Sequence, residues 1–85
     1  MTDKQAVETM RWWVMTYRRF HATVGVFFDS GQSIYVRFAW GRRLRSGWLY
    51  FDAAARAKTL GKAVQDAWRN AMNHPTHPGR RMRKA

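Results

Sequence analysis

The chain has 85 residues, of which 46% are hydrophobic and 15% aromatic, and it carries a formal net charge of +11. This length supports one small domain, and the apolar content is too high for a disordered protein. The absence of cysteine excludes disulfides and thiolate metal sites. Residues 1–10 contain early acids and no long apolar run, which argues against a signal peptide, and no later run is long enough to cross a bilayer. We therefore expect a cytoplasmic protein, or a nuclear or viral one if the source has those compartments.

The first predicted element is a helix over residues 3–19. Thr2 followed by Gln5 fits a capping box, in which each side chain satisfies a backbone amide of the first turn. Trp12 and Met15 fall on the polar side of this helix, where either a second contact covers them or they are exposed for a partner. The opposite side is predicted to be buried, because apolar residues recur there at helical spacing: Ala6, Val7, Met10, Trp13, Val14 and Tyr17.

A three-stranded antiparallel meander is predicted next. Residues 21–29 and 34–40 alternate with a period of two around a polar turn, and a loop at 41–47 leads to a short strand at 48–51. The outward face is either exposed, or covered by one of two helices that lie on opposite sides of the sheet. The predicted inward residues are Val24, Val26, Ile34, Val36, Phe38, Trp40, Leu49 and Phe51. The predicted outward residues are Phe27, Tyr35, Arg37, Trp48 and Tyr50.

The second predicted helix covers residues 52–73. Asp52 is well placed as its N-cap, and the alanine-rich run that follows has high helix propensity. Residues 74–85 contain two prolines and a glycine, which predicts a flexible basic tail after a single domain at 1–73. The predicted fold class is therefore α+β, with the order α-β-β-β-α. The solvent side of the second helix carries a strip of cations: Lys58, Lys62 and Arg69.

Catalytic and metal chemistry have few candidate residues. His74 and His77 have an HxxH spacing, but each precedes a proline, which disfavours the helix that a shared metal would need. No pair of acids stands out as general acid and base. We therefore expect no catalytic residues, no metal site and no cofactor, in a protein that is not an enzyme. The five acids are Asp3, Glu8, Asp29, Asp52 and Asp66.

The predicted element order resembles that of double-stranded RNA-binding domains, which also run α-β-β-β-α. The segment WLYFDAAARAKTLGKAV, residues 48–64, is similar to the β-β-β-α DNA-binding domains of integrase arm-binding modules. Both resemblances imply contact with nucleic acid. Double-stranded RNA binders place a basic cluster at the start of the last helix, where this sequence has DAAA at 52–55, so no functional residue is transferred.

The distribution of charge predicts a nucleic-acid-binding protein. Residues 80–85 contain four cations, and residues 1–79 still carry +7. Such an excess costs stability through self-repulsion and commonly reflects a polyanionic partner, either nucleic acid or an anionic membrane; the alternative is a surface that only keeps the protein in solution. The candidate phosphate contacts are Arg37, Arg42, Arg43 and Arg45 around the predicted loop, with Lys58, Lys62 and Arg69 as a second strip. The candidate stacking surface for bases, of DNA or RNA, is Tyr35, Trp48 and Tyr50.

A second hypothesis is a protein-binding inhibitor or adaptor, such as a phage or mobile-element product that binds a host defence or transcription machine. Its basic aromatic surface would meet an acidic patch or supply aromatic anchors, and an exposed Trp12 and Met15 would favour this hypothesis. Attachment to an anionic membrane is disfavoured, because the apolar stripes are assigned to the core. A homodimer is a further expectation, because either an exposed sheet edge or the polar side of the first helix could form its interface.

Overall fold

The computed structural model describes residues 1–79 and has the predicted order α-β-β-β-α. The three strands form one antiparallel sheet with the spatial order β1-β2-β3, and both helices pack on the same face of it. The predicted fold class is therefore confirmed. The elements are α1 (Asp3–Thr16), a short 3-10 turn (Arg18–Phe20), β1 (Thr23–Phe28), β2 (Ile34–Leu44), β3 (Gly47–Ala57) and α2 (Leu60–Met72).

The N-terminus of α1 is fixed by the predicted capping box. The Thr2 hydroxyl accepts from the Gln5 amide at 3.2 Å, and the Gln5 side chain accepts from the Thr2 amide at 2.9 Å. The helix ends at Thr16, three residues before the predicted end, and the 3-10 turn follows. His21 then takes a left-handed backbone conformation with φ 54°, which turns the chain into β1. Histidine tolerates this conformation better than β-branched residues do.

Strands β2 and β3 are longer than predicted and form a continuous hairpin. They pair from Ile34 opposite Ala57 to Leu44 opposite Gly47, with only two residues in the turn. The predicted loop at 41–47 is therefore wrong: a pair of exposed strands can carry arginines without losing backbone hydrogen bonds. Pairing with β1 stops at Ala39, so residues 41–50 extend beyond it as a two-stranded ribbon. We call residues 41–50 the ribbon.

The start of α2 also differs from the prediction. Asp52 lies inside β3, opposite Ala39, and the helix begins at Leu60 with Thr59 as its N-cap. The Thr59 hydroxyl accepts from the Lys62 amide at 3.2 Å. Pairing with β2 outweighs the helix propensity of the alanine run, and these small side chains let α2 approach β3 closely. The basic residues that flank the true helix start are Lys58 and Lys62.

The core lies between the sheet and the two helices. Trp13 of α1 is fully buried against Phe38 and Trp40 of β2, with ring centroids 5.3 and 5.6 Å away. Its indole N–H donates to the carbonyl of Thr23 at 3.2 Å, which ties the helix to β1. The alternative in which each helix covers a different face of the sheet is therefore wrong. The remaining core is Ala6, Ala22, Val36, Ala53, Ala63, Val64, Ala67 and Ala71.

Not every residue of the predicted buried stripes is covered. Val7 is 53% exposed, because β1 is the edge of the sheet and no other strand of residues 1–79 lies beyond it. Leu49 keeps its predicted helix-side orientation but is 47% exposed, since the ribbon extends past the helices. On the other side of α1, Trp12 packs edge-on against Trp68, whereas Met15 is 63% exposed.

The segment after α2 packs onto the core. The His77 side chain is only 3% exposed and lies against Trp13 and Tyr17, with ring centroids 5.6 and 5.3 Å away. The Trp40 indole N–H donates to the carbonyl of Thr76 at 2.9 Å. The packed unit therefore continues to Gly79, beyond the predicted boundary at residue 73. The rest of the predicted tail, residues 80–85, lies outside the described residues.

Candidate nucleic-acid interface

The face of the sheet that points away from the helices has no layer over it within residues 1–79. Strand alternation and the pairing register place five of the predicted site residues on this open face. We define the open face by these positions: Thr23, Gly25 and Phe27 of β1; Tyr35, Arg37, Ala39, Gly41 and Arg43 of β2; Trp48, Tyr50, Asp52, Ala54 and Arg56 of β3.

Three aromatic rings form an array at the ribbon end of the open face. The His21 ring stacks on Trp48 with centroids 3.7 Å apart and planes 25° apart. Its Nδ1 atom lies 3.0 Å from the Tyr50 hydroxyl. Trp48 and Tyr50 are nearly parallel, with an interplanar angle of 17° and centroids 6.3 Å apart. We call His21, Trp48 and Tyr50 the ring array.

Gly41 allows the two strand rings to meet over the sheet. A Cβ atom at this position would lie 2.8 Å from Tyr50 Cε1 and 2.9 Å from Trp48 Cε3. Real Cβ atoms do not approach other carbons this closely, so a side chain at 41 would push both rings away. The ring array therefore depends on a glycine directly beneath it.

The four predicted clamp arginines do not share one surface. Arg37 and Arg43 lie on the open face, Arg42 lies opposite Leu49 on the other side of the ribbon, and Arg45 is in the turn. Arg43 sits directly across from Trp48 of the ring array. The clamp is therefore distributed around the ribbon and along the sheet.

Ion pairs differ among these arginines. Arg37 Nε lies 3.0 Å from Asp52 Oδ2, and both side chains are about half exposed. Arg43 and Arg45 have no carboxylate partner within residues 1–79, and the ribbon contains no acid. The ribbon therefore carries three arginines and no acid of its own.

Tyr35 lies at the opposite end of the open face and has local partners. The Arg56 guanidinium carbon is 5.8 Å from the centre of the Tyr35 ring, and Arg56 Nε is 3.3 Å from Asp29 Oδ2. Phe27 flanks the same ring at 5.9 Å. Tyr35 is thus separated from Trp48 and Tyr50, with which the sequence grouped it.

The second predicted strip lies on the other layer. Lys58 is in the link between β3 and α2, so it is not on the helix as predicted, whereas Lys62 is in the first turn of α2 and Arg69 in the last. Lys62 Nζ is 3.2 Å from Asp66 Oδ1, which neutralises part of this strip. Because α2 packs on the face opposite the open face, Lys62 and Arg69 cannot share one flat contact surface with the ring array.

Sequence reasoning missed two residues of this region, His21 and Arg56. His21 joins the ring array only because a left-handed backbone directs it over β3, 27 residues away in sequence. Arg56 falls in the alanine run that the sequence assigned to a helix. A signal existed for Arg56, since it continues the outward alternation of Trp48 and Tyr50 along β3.

Comparisons with protein-family models, with curated proteins and with solved structures found no match to this chain. Neither helix within residues 1–79 combines the length and the apolar character that spanning a bilayer requires.

Proposed function

We propose that this protein is a non-enzymatic nucleic-acid-binding protein that contacts phosphates through the arginines of the β2–β3 hairpin. The observation that carries the proposal is the ribbon, which extends beyond β1 and places Arg42, Arg43 and Arg45 within four positions without an acid. Guanidinium groups suit phosphate because their planar fork donates two hydrogen bonds at once. Arg37 would extend this contact along the open face, and Lys58, Lys62 and Arg69 would form a second, separate contact.

Electrostatics supports a polyanionic partner for the ribbon. Residues 1–79 carry +7, and the ion pairs of Arg37, Arg56 and Lys62 lie outside the ribbon. Like charges held close together on a hairpin repel one another, and a phosphate chain would relieve this repulsion. Binding would release condensed counterions, so the affinity would fall steeply as salt is raised.

The test compares two triple variants that remove the same charge. Arg42, Arg43 and Arg45 are changed to alanine in one variant, and Lys4, Arg11 and Arg18 on the exposed surface of α1 and the turn after it in the other. Binding to single-stranded and duplex DNA and RNA is measured at about 50 mM and 200 mM salt. We expect the ribbon variant to lower the slope of log affinity against log salt by about 2 to 3, at about 0.9 per lost phosphate contact on duplex DNA and about 0.7 on a single strand, and the control to lower it less.

Two results would overturn this proposal. One is weak binding of every nucleic acid even at the lower salt concentration. The other is an equal effect of the two triple variants, because that would show that only net charge matters and the ribbon does not.

The second candidate function is a protein-binding inhibitor or adaptor of a host machine. The observation that favours it is an apolar groove of about 470 Å³ between α1 and β1. Met15 on its rim is 63% exposed and Val7 is 53% exposed. If the contact is this groove and not the basic aromatic surface, Met15→Glu would abolish a stable complex with a protein partner, whereas the ribbon variant would leave that complex intact.

A further inference from the structure

The ring array remains accessible even though other parts of the molecule hold its rings in place. Tyr50 is 59% exposed, and Trp48, which has His21 stacked on one face, keeps part of its remaining surface in solvent. The fold does not require these rings, since the buried side chains lie on the opposite face of the sheet. The rings cover Gly41 and the Tyr50 hydroxyl lies 3.0 Å from His21 Nδ1, but neither contact requires the large exposed area that Tyr50 keeps.

We propose that the ring array stacks unpaired bases, so that the ligand of the open face is single-stranded nucleic acid. This inference rests on the proposed function, and it adds the ligand class and the role of His21. Every base has a π face that an aromatic side chain can cover, whatever the sequence. In a duplex these faces are already covered by neighbouring bases, so only an unpaired strand presents them to a ring.

The spacing of the rings supports an extended strand. The centroids of Trp48 and Tyr50 are 6.3 Å apart, whereas successive bases of a stacked strand rise by about 3.4 Å. Two neighbouring bases that stack on different rings of the array must therefore separate from each other. A single strand can extend in this way, and a duplex cannot do so without losing its stacking.

Cations lie on either side of the ring array, where they can follow the phosphates of such a strand. Arg43 lies across from Trp48 at the ribbon end. Arg37 lies further along β2 and is held by Asp52, which is two residues after Tyr50 in β3. A strand that crosses the array would pass from Arg43 to Arg37, where its phosphate would displace the Asp52 carboxylate or share the guanidinium with it, and its bases would lie over the rings between them.

His21 acts as a positioning residue for the other two rings. It stacks on Trp48 at 3.7 Å and places Nδ1 3.0 Å from the Tyr50 hydroxyl, so one side chain fixes both strand rings. Rings that are held before binding lose little conformational entropy when a base arrives. His21→Asn, which tolerates the same left-handed backbone, should therefore weaken single-strand binding by several-fold without changing its salt dependence.

The experiment measures the affinity of the full chain for a single strand of about 12 nucleotides and for the duplex of the same sequence. Tyr50→Leu removes the ring, and Tyr50→Phe keeps it. Phe28→Leu is the matched control, because Phe28 is a 76% exposed ring at the end of β1, on the helix side of the sheet. We expect the single strand to bind at least about tenfold more tightly than the duplex, and Tyr50→Leu to lose about tenfold of that affinity.

The salt slope of single-strand binding should stay the same in Tyr50→Leu, since no cation is removed. Tyr50→Phe and Phe28→Leu should remain within about twofold of the parent. As a second measurement, the single strand should quench tryptophan fluorescence in the parent but much less in Trp48→Phe, which keeps a ring at that position.

Two results would overturn the inference. One is duplex binding as tight as single-strand binding. The other is an unchanged affinity in Tyr50→Leu together with equal quenching in Trp48→Phe. If binding still depended on the ribbon arginines, the proposed function would survive this failure. A loss of salt-dependent binding to every nucleic acid would instead remove the proposed function.

Discussion

The two faces of the sheet are built from alternate residues of the same strands, yet one face is buried and the other is exposed. On the covered face, Val36 and Phe38 have no exposed surface and Trp40 has 1%. On the open face, Arg37 and Tyr50 lie in solvent among polar and aromatic neighbours. A strand alternates its side chains between the two faces, so the covered face can determine stability while the open face varies with little cost.

Aromatic residues on the two faces of the sheet contribute differently to stability, and those on the open face are the ones that stability does not explain. Aromatic residues on the covered face gain free energy from burial and from edge-to-face packing. Aromatic residues on the open face gain much less, because the solvent still reaches them. Rings and guanidinium groups at such positions indicate a partner, which is the physical basis of the proposed function.

The largest expected effect comes from the centre of the covered face. Trp13→Ala removes a fully buried ring that contacts Phe38 and Trp40, and should lower the free energy of unfolding by about 3 to 5 kcal/mol. The matched change on the open face, Tyr50→Leu, should cost less than about 1 kcal/mol. Urea unfolding followed by circular dichroism measures both values. Similar losses of unfolding free energy in the two variants would contradict the conclusion that the covered face determines stability.

The next effect tests how closely the helix layer is packed. A Cβ atom at Gly61 in α2 would collide with the backbone carbonyl of Met1, so Gly61→Ala should force the chain apart there. Overpacking costs about 1 to 3 kcal/mol, which exceeds the gain of about 1 kcal/mol in helix propensity. Gly31→Ala is the control, because its nearest neighbour is Asp29 Oδ1 at 3.4 Å. A more stable Gly61→Ala protein would show that this contact is loose.

A smaller effect distinguishes the observed helix start from the predicted one. Thr59→Ala removes the N-cap of α2 and should cost about 1 kcal/mol. Asp52→Asn removes only a half-exposed ion pair with Arg37 and should change stability by less than about 0.5 kcal/mol. Thermal unfolding of the two variants measures the difference. The reverse order of effects would support a helix that begins at residue 52.

The smallest effect appears at alkaline pH. Partial burial at the C-terminal end of α1, against Trp13 and His77, raises the pKa of the Tyr17 hydroxyl above its usual value of 10.0. The folded state then holds this proton more tightly than the unfolded state, so the contribution to stability is complete below pH 10.0 and is lost as pH rises through the higher folded value. Tyr17→Phe should therefore show a shallower loss of unfolding free energy above pH 10.0. Parallel pH profiles for the two proteins would contradict this expectation.

Where one side of an element was clearly buried, the sequence was sufficient to predict the structure. Val36 and Phe38 were assigned correctly because a slip of one residue would have exposed every apolar side chain of β2. The capping box of α1 is also local, and Thr2 and Gln5 form it as predicted. The element order follows from these patterns together.

The errors arose where tertiary pairing overrides local preference. Residues 53–57 are rich in alanine and favour a helix in isolation, but they pair with β2 and close the core under α2. The arginine-rich segment at 41–47 has no apolar alternation, so it was assigned to a loop, although most of it is paired strand. The contact of His21 with Trp48 depends on the register of a sheet and on a left-handed residue, and neither is encoded in a short pattern.

The most direct test of the open face as the binding surface is an NMR titration of the tryptophan indole N–H signals with a single-stranded oligonucleotide. The five tryptophans sample both layers of the molecule. We predict that the Trp48 signal shifts most, whereas those of the buried Trp13 and Trp40 move little. A shift confined to Trp12 and Trp68, on the helix side, or no shift at saturating oligonucleotide, would contradict the account.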